Sequence, residues 1–172
     1  LLAGIVTDTI GFRTSNVTPR ILRTAETLLL KGAPLAEVYE RTLNSHSFTD
    51  LQYWGRGLAR LSLEDSIVWA SLTLDDRRST GYPGNDDADL INLLSTTEGA
   101  LIAVIFVEQP DGRTKISWRC REGLNVARLA EQFGGGGHEM AAGAMVEGRL
   151  AEVEARALAA TRALVRPARV RP

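Results

Sequence analysis

The sequence predicts an α/β protein in two parts. Residues 1–48 read as the remnant of one α/β domain, 49–65 as a linker helix and junction, and 66–172 as a smaller α/β domain with a mixed sheet flanked by helices. Three observations carry this reading. Residues 101–107 (LIAVIFV) form a continuously apolar run of strand length, the pattern of a strand buried on both faces. Residues 114–121 alternate with period two. Around these runs apolar residues recur at helical spacing, so strands and helices alternate along the chain.

The opening run 1–6 (LLAGIV) reads as a short interior strand that meets a loop at Thr7-Asp8-Thr9 and Gly11. Ligands of open α/β sheets gather at that end of a strand. Thr18-Pro19 has the form of an N-cap followed by proline at the first helical position, and Ile21, Leu22, Ala25, Leu28 and Leu29 continue that helix to a stop at Lys31-Gly32. A second helix begins at Pro34 with Leu35, Val38, Tyr39 and Leu43. A third carries Leu51, Trp54, Leu58 and Leu61 as its apolar stripe, leading to a domain junction over 61–66.

Beyond the junction, 67–74 reads as a strand, 86–94 as a short helix and 101–107 as the central strand. Asp86, Asp87 and Asp89 then fall in the first turn of that helix, where acids complement the macrodipole. Pro110-Asp111-Gly112 turns the chain into 114–121, where Ile116, Trp118 and Cys120 face the core and Lys115, Ser117, Arg119 and Arg121 face away. Asn125 caps a helix bearing Val126, Leu129, Ala130 and Phe133. A strand at 142–146 and a long helix at 149–165 follow, then a frayed tail, RPARVRP.

Composition narrows the function classes. With 172 residues and 44% apolar content the chain can build a packed core. A formal charge of -1 argues against coating nucleic acid by bulk electrostatics, while leaving room for a locally basic groove. No apolar run has membrane-spanning length, and the single cysteine, Cys120, cannot form an internal disulfide, which predicts a soluble cytoplasmic protein with no membrane partner. The chain opens without Met, so it is expected to be the C-terminal part of a longer polypeptide.

The stretch FGGGGHEMAAGAM, beginning at Phe133, is the strongest chemical signal. One glycine, Gly134, serves to end the preceding helix in the left-handed conformation. Gly135, Gly136 and Gly137 have no such task, and a run of glycines exposes main-chain N–H groups in a concave arc that cradles phosphate oxygens. His138 stands at the end of that arc, placed to donate a hydrogen bond to the same phosphate, and Arg119 projects from the polar side of the strand upstream. A flexible surface loop with a solvated histidine has the same composition. His46, near Asp50 in NSHSFTD, reads as a surface residue.

KISWRCREGLNVARLAEQFGGGGHEMAAGAM resembles the signature of the substrate-binding C-terminal domain of DHH-family phosphoesterases: a strand with Ser-x-Arg, a helix, then Gly-Gly-Gly-Gly-His-x-x-Ala-Ala-Gly. GIVTDTIGFRTSNVTPRILRTA resembles the last motif of that family's catalytic domain. Within the family the likeness is greatest to bacterial bifunctional oligoribonucleases, which degrade short RNAs and remove the 3'-phosphate of adenosine 3',5'-bisphosphate. The resemblance implies a two-domain enzyme using two manganese ions. Asp8 matches the metal-binding aspartate, Arg119 the phosphate-contacting arginine, and Gly135, Gly136, Gly137 and His138 the nucleotide-binding loop, with Gly134, Ser117 and Arg13 as further candidates for contacting substrate. Two departures stand out. Ile10 replaces a glycine common after Thr-Asp-Thr, and Cys120 replaces the serine that usually follows the arginine.

The family's other metal motifs are absent from these residues, so the expectation is a chain that binds short RNA or nucleotide without a complete catalytic set and without retaining manganese. Its partner is then the N-terminal catalytic half of the same polypeptide, and a homodimer is allowed. Two rival expectations stand beside this: a phosphodiesterase of cyclic or linear dinucleotides, and a non-catalytic nucleic-acid-binding module.

Overall fold

The computed structural model describes residues 1–14, 16–43 and 45–165. Two compact units divide the chain, Leu1–Ser47 and Phe48–Pro172. The tail expected to fray lies outside the described residues.

The first unit is helical: α1 (Leu2–Asp8), α2 (Pro19–Leu30) and α3 (Leu35–Thr42). The expected opening strand is a helix instead. A short apolar run does not distinguish the two by periodicity, and here Leu2, Val6 and Thr9 bury one helical face while Thr7 and Thr9 return their hydroxyls to the carbonyls of Ala3 and Ile5. No strand among the described residues of this unit offers a pairing partner. α2 starts as its sequence indicates, with Pro19 at the first position and Thr18 Oγ1 accepting the Ile21 N–H at 3.3 Å. Leu2, Val6 and Ala25 form its small core, joined by Phe12, Leu28, Leu35, Val38 and Tyr39.

The second unit is a six-stranded mixed sheet with helices on both faces. Its elements are α4 (Phe48–Leu58), β1 (Ser62–Glu64), β2 (Ile67–Leu72), α5 (Leu74–Thr80), α6 (Leu90–Leu94), β3 (Ile102–Glu108), β4 (Arg113–Cys120), α7 (Val126–Glu131), β5 (Gly136–His138), β6 (Ala141–Glu147) and α8 (Leu150–Val165). The strand order is β1-β2-β3-β4-β6-β5, with β2 and β3 parallel and every other pair antiparallel.

Several elements depart from expectation. β1 pairs with β2 through a two-residue turn at Asp65 and Ser66, both at positive φ, a hairpin hidden inside the expected junction. α5 was not expected; Thr73 and Asp76 cap it reciprocally and Gly81 ends it in the left-handed conformation. The helix expected over 86–94 shrinks to α6, because Ala88 and Asp89 sit at φ 49° and 64°. Asp86 and Asp87 therefore precede α6. Asp86 accepts from the Tyr82 hydroxyl and the Ala88 N–H, and buried Asp87 accepts the Ile91 N–H at 2.9 Å. On α4 the buried residues are Tyr53 and Gly57, whereas Leu51, Leu58 and Leu61 of the expected stripe are exposed. Gly57 is the close-packing point: a Cβ there would meet Leu90 Cδ2 at 2.8 Å.

Two apolar layers sandwich the sheet. On one face Ile102, Val104, Phe106, Ile116, Trp118, Ala142, Ala144 and Val146 pack with residues of α7 and α8. On the other, Val68, Ala70, Leu72, Ala103, Ile105 and Val107 of β2 and β3 pack with Tyr53 of α4 and with Leu90, Ile91 and Leu94 of α6. That second layer stops at β3. The same face of β4, β6 and β5 has no apolar layer among the described residues.

Candidate functional site

The half-face without an apolar layer is where the polar candidates meet. β4 alternates as expected, with Ile116 and Trp118 fully buried and Lys115, Ser117 and Arg119 on the opposite side, half-buried. Register then fixes their neighbours. Arg119 lies opposite Ala141, and Ala141 lies opposite His138. Directly opposed residues project from the same face, so Arg119, Ala141 and His138 form one row across three strands, its ends about 10 Å apart at the usual strand spacing. The next row is Ser117, Gly143 and Gly136, and the third is Lys115 and Met145.

Packing behind the face holds these rows in place. Trp118, between Ser117 and Arg119 in sequence, donates its indole N–H to Thr161 of α8 at 3.2 Å. Its ring lies 5.8 Å from that of Phe133, the residue before the glycines, which ties the glycine segment to β4. The hairpin carrying His138 is tied down by its turn: the Val126 N–H donates to the Glu139 carbonyl and the Cys120 N–H to the Met140 carbonyl. Cys120 sits on the core side as expected, its thiol toward the Leu124 and Glu139 carbonyls, and burial raises its pKa. The Arg119 guanidinium donates to the Trp118 carbonyl at 3.1 Å. His138 is exposed, and its imidazole makes no hydrogen bond or ion pair with a described residue.

The glycines are not a ligand arc throughout. Gly134, at φ 72°, ends α7 as expected. Gly135 and Gly137, expected to have only a ligand-binding task, have structural ones: a Cβ on Gly135 would meet the Gly143 carbonyl oxygen at 2.1 Å, and one on Gly137 the Ala141 oxygen at 2.5 Å. Gly136 alone has open space where its Cβ would be and no positive φ. Gly136–His138 is a short edge strand, so one row of its main-chain N–H and C=O groups is unpaired by the sheet. Sequence reasoning missed this hairpin and Gly143, whose Cβ would meet the Ile116 oxygen at 2.8 Å. Ala-Ala-Gly after the histidine was its only signal.

Asp8 and Arg13 belong to the first unit. Asp8 is exposed at the end of α1, and the turn after it is organised by Thr9, whose Oγ1 accepts the Phe12 N–H at 2.9 Å. Ile10 holds φ 45°, the left-handed region that favours glycine. Among the described residues no group of three His, Cys, Asp or Glu side chains could hold a metal ion. On their own the described residues therefore do not complete a two-metal centre, and Asp8 could contribute no more than one ligand to it. The first unit's apolar groove, about 430 Å³ and lined by Phe12, Leu22, Ala25, Leu29 and Leu30 beside Glu26, carries no cation and suits no phosphate.

Residues 70–166 match the DHHA1 domain. The chain is 32% identical over 148 residues to the bifunctional oligoribonuclease and PAP phosphatase NrnA of Thermus thermophilus, covering 86% of this chain and 44% of that protein. It is 27% identical to the NrnA of Bacillus subtilis, covering 85% and 46%. It thus spans under half the length of these relatives. An exopolyphosphatase-related protein from Bacteroides fragilis superposes with a TM-score of 0.84 at 25% identity, covering 94% of this chain and 49% of that one. A pGpG-specific phosphodiesterase from Vibrio, at TM-score 0.53 and 12% identity, covering 96% and 57%, shares the fold alone. No helix among the described residues is long and apolar enough to cross a membrane. The chain belongs to the DHHA1 domain family and corresponds to the C-terminal part of DHH-family proteins.

Proposed function

We propose that this chain is the nucleotide-holding part of a cytoplasmic phosphoesterase that degrades short oligoribonucleotides and dephosphorylates adenosine 3',5'-bisphosphate, and that alone it binds without cleaving. The observation that carries the reading is the row of Arg119, Ala141 and His138 on the half of the sheet face that has no apolar layer. Two nitrogen donors flank a methyl group, so phosphate oxygens can enter between them without meeting another side chain. The edge-strand amides of β5 and the Ser117 hydroxyl add donors close by. The names of the relatives supply the substrate class.

The chemistry available here is orientation. Arg119 and His138 hold a phosphate at one end of a ligand, which favours attack on a terminal group of a short substrate. In the whole protein, manganese would supply a nucleophile and neutralise the leaving oxygen. We assign Asp8 as one ligand of that centre, the others lying outside these residues.

Calorimetric titration of adenosine 3',5'-bisphosphate into this chain tests the reading. Saturable binding should fall about 10- to 100-fold in each of Arg119→Ala and His138→Ala, the loss expected for one charge-assisted hydrogen bond. A folded chain that binds nothing would overturn it.

A further inference from the structure

Beyond the row of Arg119, Ala141 and His138, one more arginine lies on the same side of β4. The Arg121 N–H donates to the Leu101 carbonyl at 3.0 Å, which carries the pairing of Ile102 with Cys120 one residue further. Pleating therefore turns Arg121 to the side of Arg119, about 7 Å along the strand. Its guanidinium points the same way. It donates to the Thr97 carbonyl at 3.2 Å, in the turn that follows α6, the helix packed on that face.

The two arginines are tied to different places. Arg119 donates to the Trp118 carbonyl within β4, and Arg121 to the turn after α6, so they present two separate cations instead of one fork closing on a single anion. Arg121 is exposed and enters no ion pair among the described residues. Glu98 and Glu122, the acids next to Thr97 and Arg121 in sequence, form no ion pair with it, and the Glu139 carboxylate accepts from Asn125 Nδ2 at 3.3 Å. The Thr97 carbonyl engages one arm of the guanidinium, which leaves the other N–H groups for a ligand. The Thr97 hydroxyl, which makes no hydrogen bond among the described residues, adds a donor beside it.

Charge separates two kinds of ligand at these cations. A nucleoside 3',5'-bisphosphate carries two phosphomonoesters on one ribose, each with a charge of about −1.5 to −2 at neutral pH. A dinucleotide with hydroxyl ends carries one singly charged diester. In either case one phosphate occupies the row of Arg119 and His138, and only the bisphosphate has a second to offer.

We infer that Arg121 is the residue that divides these two classes of ligand: it holds the second phosphate of a nucleoside bisphosphate and has no task toward a dinucleotide with hydroxyl ends. The inference rests on the nucleotide reading above and deepens it. Once one phosphate is removed from the bisphosphate, the product is held at one point instead of two, which favours its release.

The test titrates adenosine 3',5'-bisphosphate and, separately, the dinucleoside monophosphate ApA into the chain and into Arg121→Gln and Arg119→Ala. Glutamine keeps a donor for the Thr97 carbonyl and removes the charge, and thermal unfolding checks that each variant is folded. Arg121→Gln should weaken the bisphosphate about tenfold while leaving ApA within about twofold, whereas Arg119→Ala should weaken both. Similar losses for both ligands in Arg121→Gln would reveal a general electrostatic contribution, and no loss for either a solvated arginine. Each of these results would overturn the inference and leave the row of Arg119 and His138 standing. If wild type bound neither ligand, the nucleotide reading would fall and this inference with it.

Discussion

Arg119 and His138 lie on either side of Ala141, two strands apart in one row of the sheet, although nineteen positions separate them in sequence. Neither residue is placed by its own loop. Arg119 is held by the Trp118 anchor behind β4, and His138 by a hairpin whose turn is bonded to Val126 and Cys120.

The smallness of Ala141 is therefore a functional feature. Ala141→Leu should fill the gap with a side chain projecting into solvent, changing stability by no more than about 0.5 kcal/mol. Affinity for adenosine 3',5'-bisphosphate should drop at least about tenfold. Calorimetry paired with urea denaturation separates the two effects; an unaltered affinity would show that phosphate does not enter between Arg119 and His138.

The glycines should respond unequally. A methyl group on Gly135 would collide with the Gly143 carbonyl, so Gly135→Ala should cost about 3 kcal/mol or more. Gly136→Ala should be neutral or slightly stabilising, within about 1 kcal/mol, because the methyl meets nothing and removes backbone freedom from the unfolded chain. Urea denaturation midpoints at constant slope measure both. Similar losses at the two positions would contradict the close approach of β5 to β6.

Ile10 carries a β-branched side chain at φ 45°. Ile10→Gly should relieve left-handed strain worth about 1–2 kcal/mol, offset in part by the added flexibility of the unfolded chain. A net gain of about 0.5–1 kcal/mol should appear as a higher unfolding temperature of the first unit. A fall in that temperature would mean that the isoleucine contributes packing that outweighs its backbone cost.

Asp87 gives a pH signature. Burial raises its pKa above the ordinary 3.8, against the opposing hydrogen bond from Ile91 and the attraction of Lys115. A raised carboxyl pKa in the fold means that the contribution is fully present below the unfolded value and declines as pH rises through the folded value. Asp87→Asn keeps an acceptor for the Ile91 N–H and abolishes that titration. Its stability relative to wild type should therefore increase from pH 4 to pH 7, as read from urea midpoints. A relative stability that falls over this interval would reverse the assignment.

What the sequence determined by itself was local. Period-two alternation placed Lys115, Ser117 and Arg119 on one side of β4 and Trp118 on the other, the apolar run of β3 marked a strand covered on both faces, and Thr18-Pro19 and Asn125 located helix starts, because pleat and capping geometry depend on neighbours a few residues away. The identities of Arg119 and His138 as site candidates came from that level too. Tertiary structure decided everything that depends on partners distant in the chain. It made the opening apolar run a helix, since no strand among the described residues of its unit pairs with it. It set α4 on Tyr53 and Gly57 rather than on its leucines, because Gly57 lets Leu90 and Leu72 approach. It gave Gly135 and Gly137 a packing role, and left Gly136 free. Above all, it gave the second face of β2 and β3 an apolar cover from α4 and α6 and left that of β4, β6 and β5 without an apolar layer among the described residues. Strand register and helix coverage are long-range pairings, and it is their combination that turns an arginine, a histidine and a lysine spread over twenty-four residues into rows of one surface.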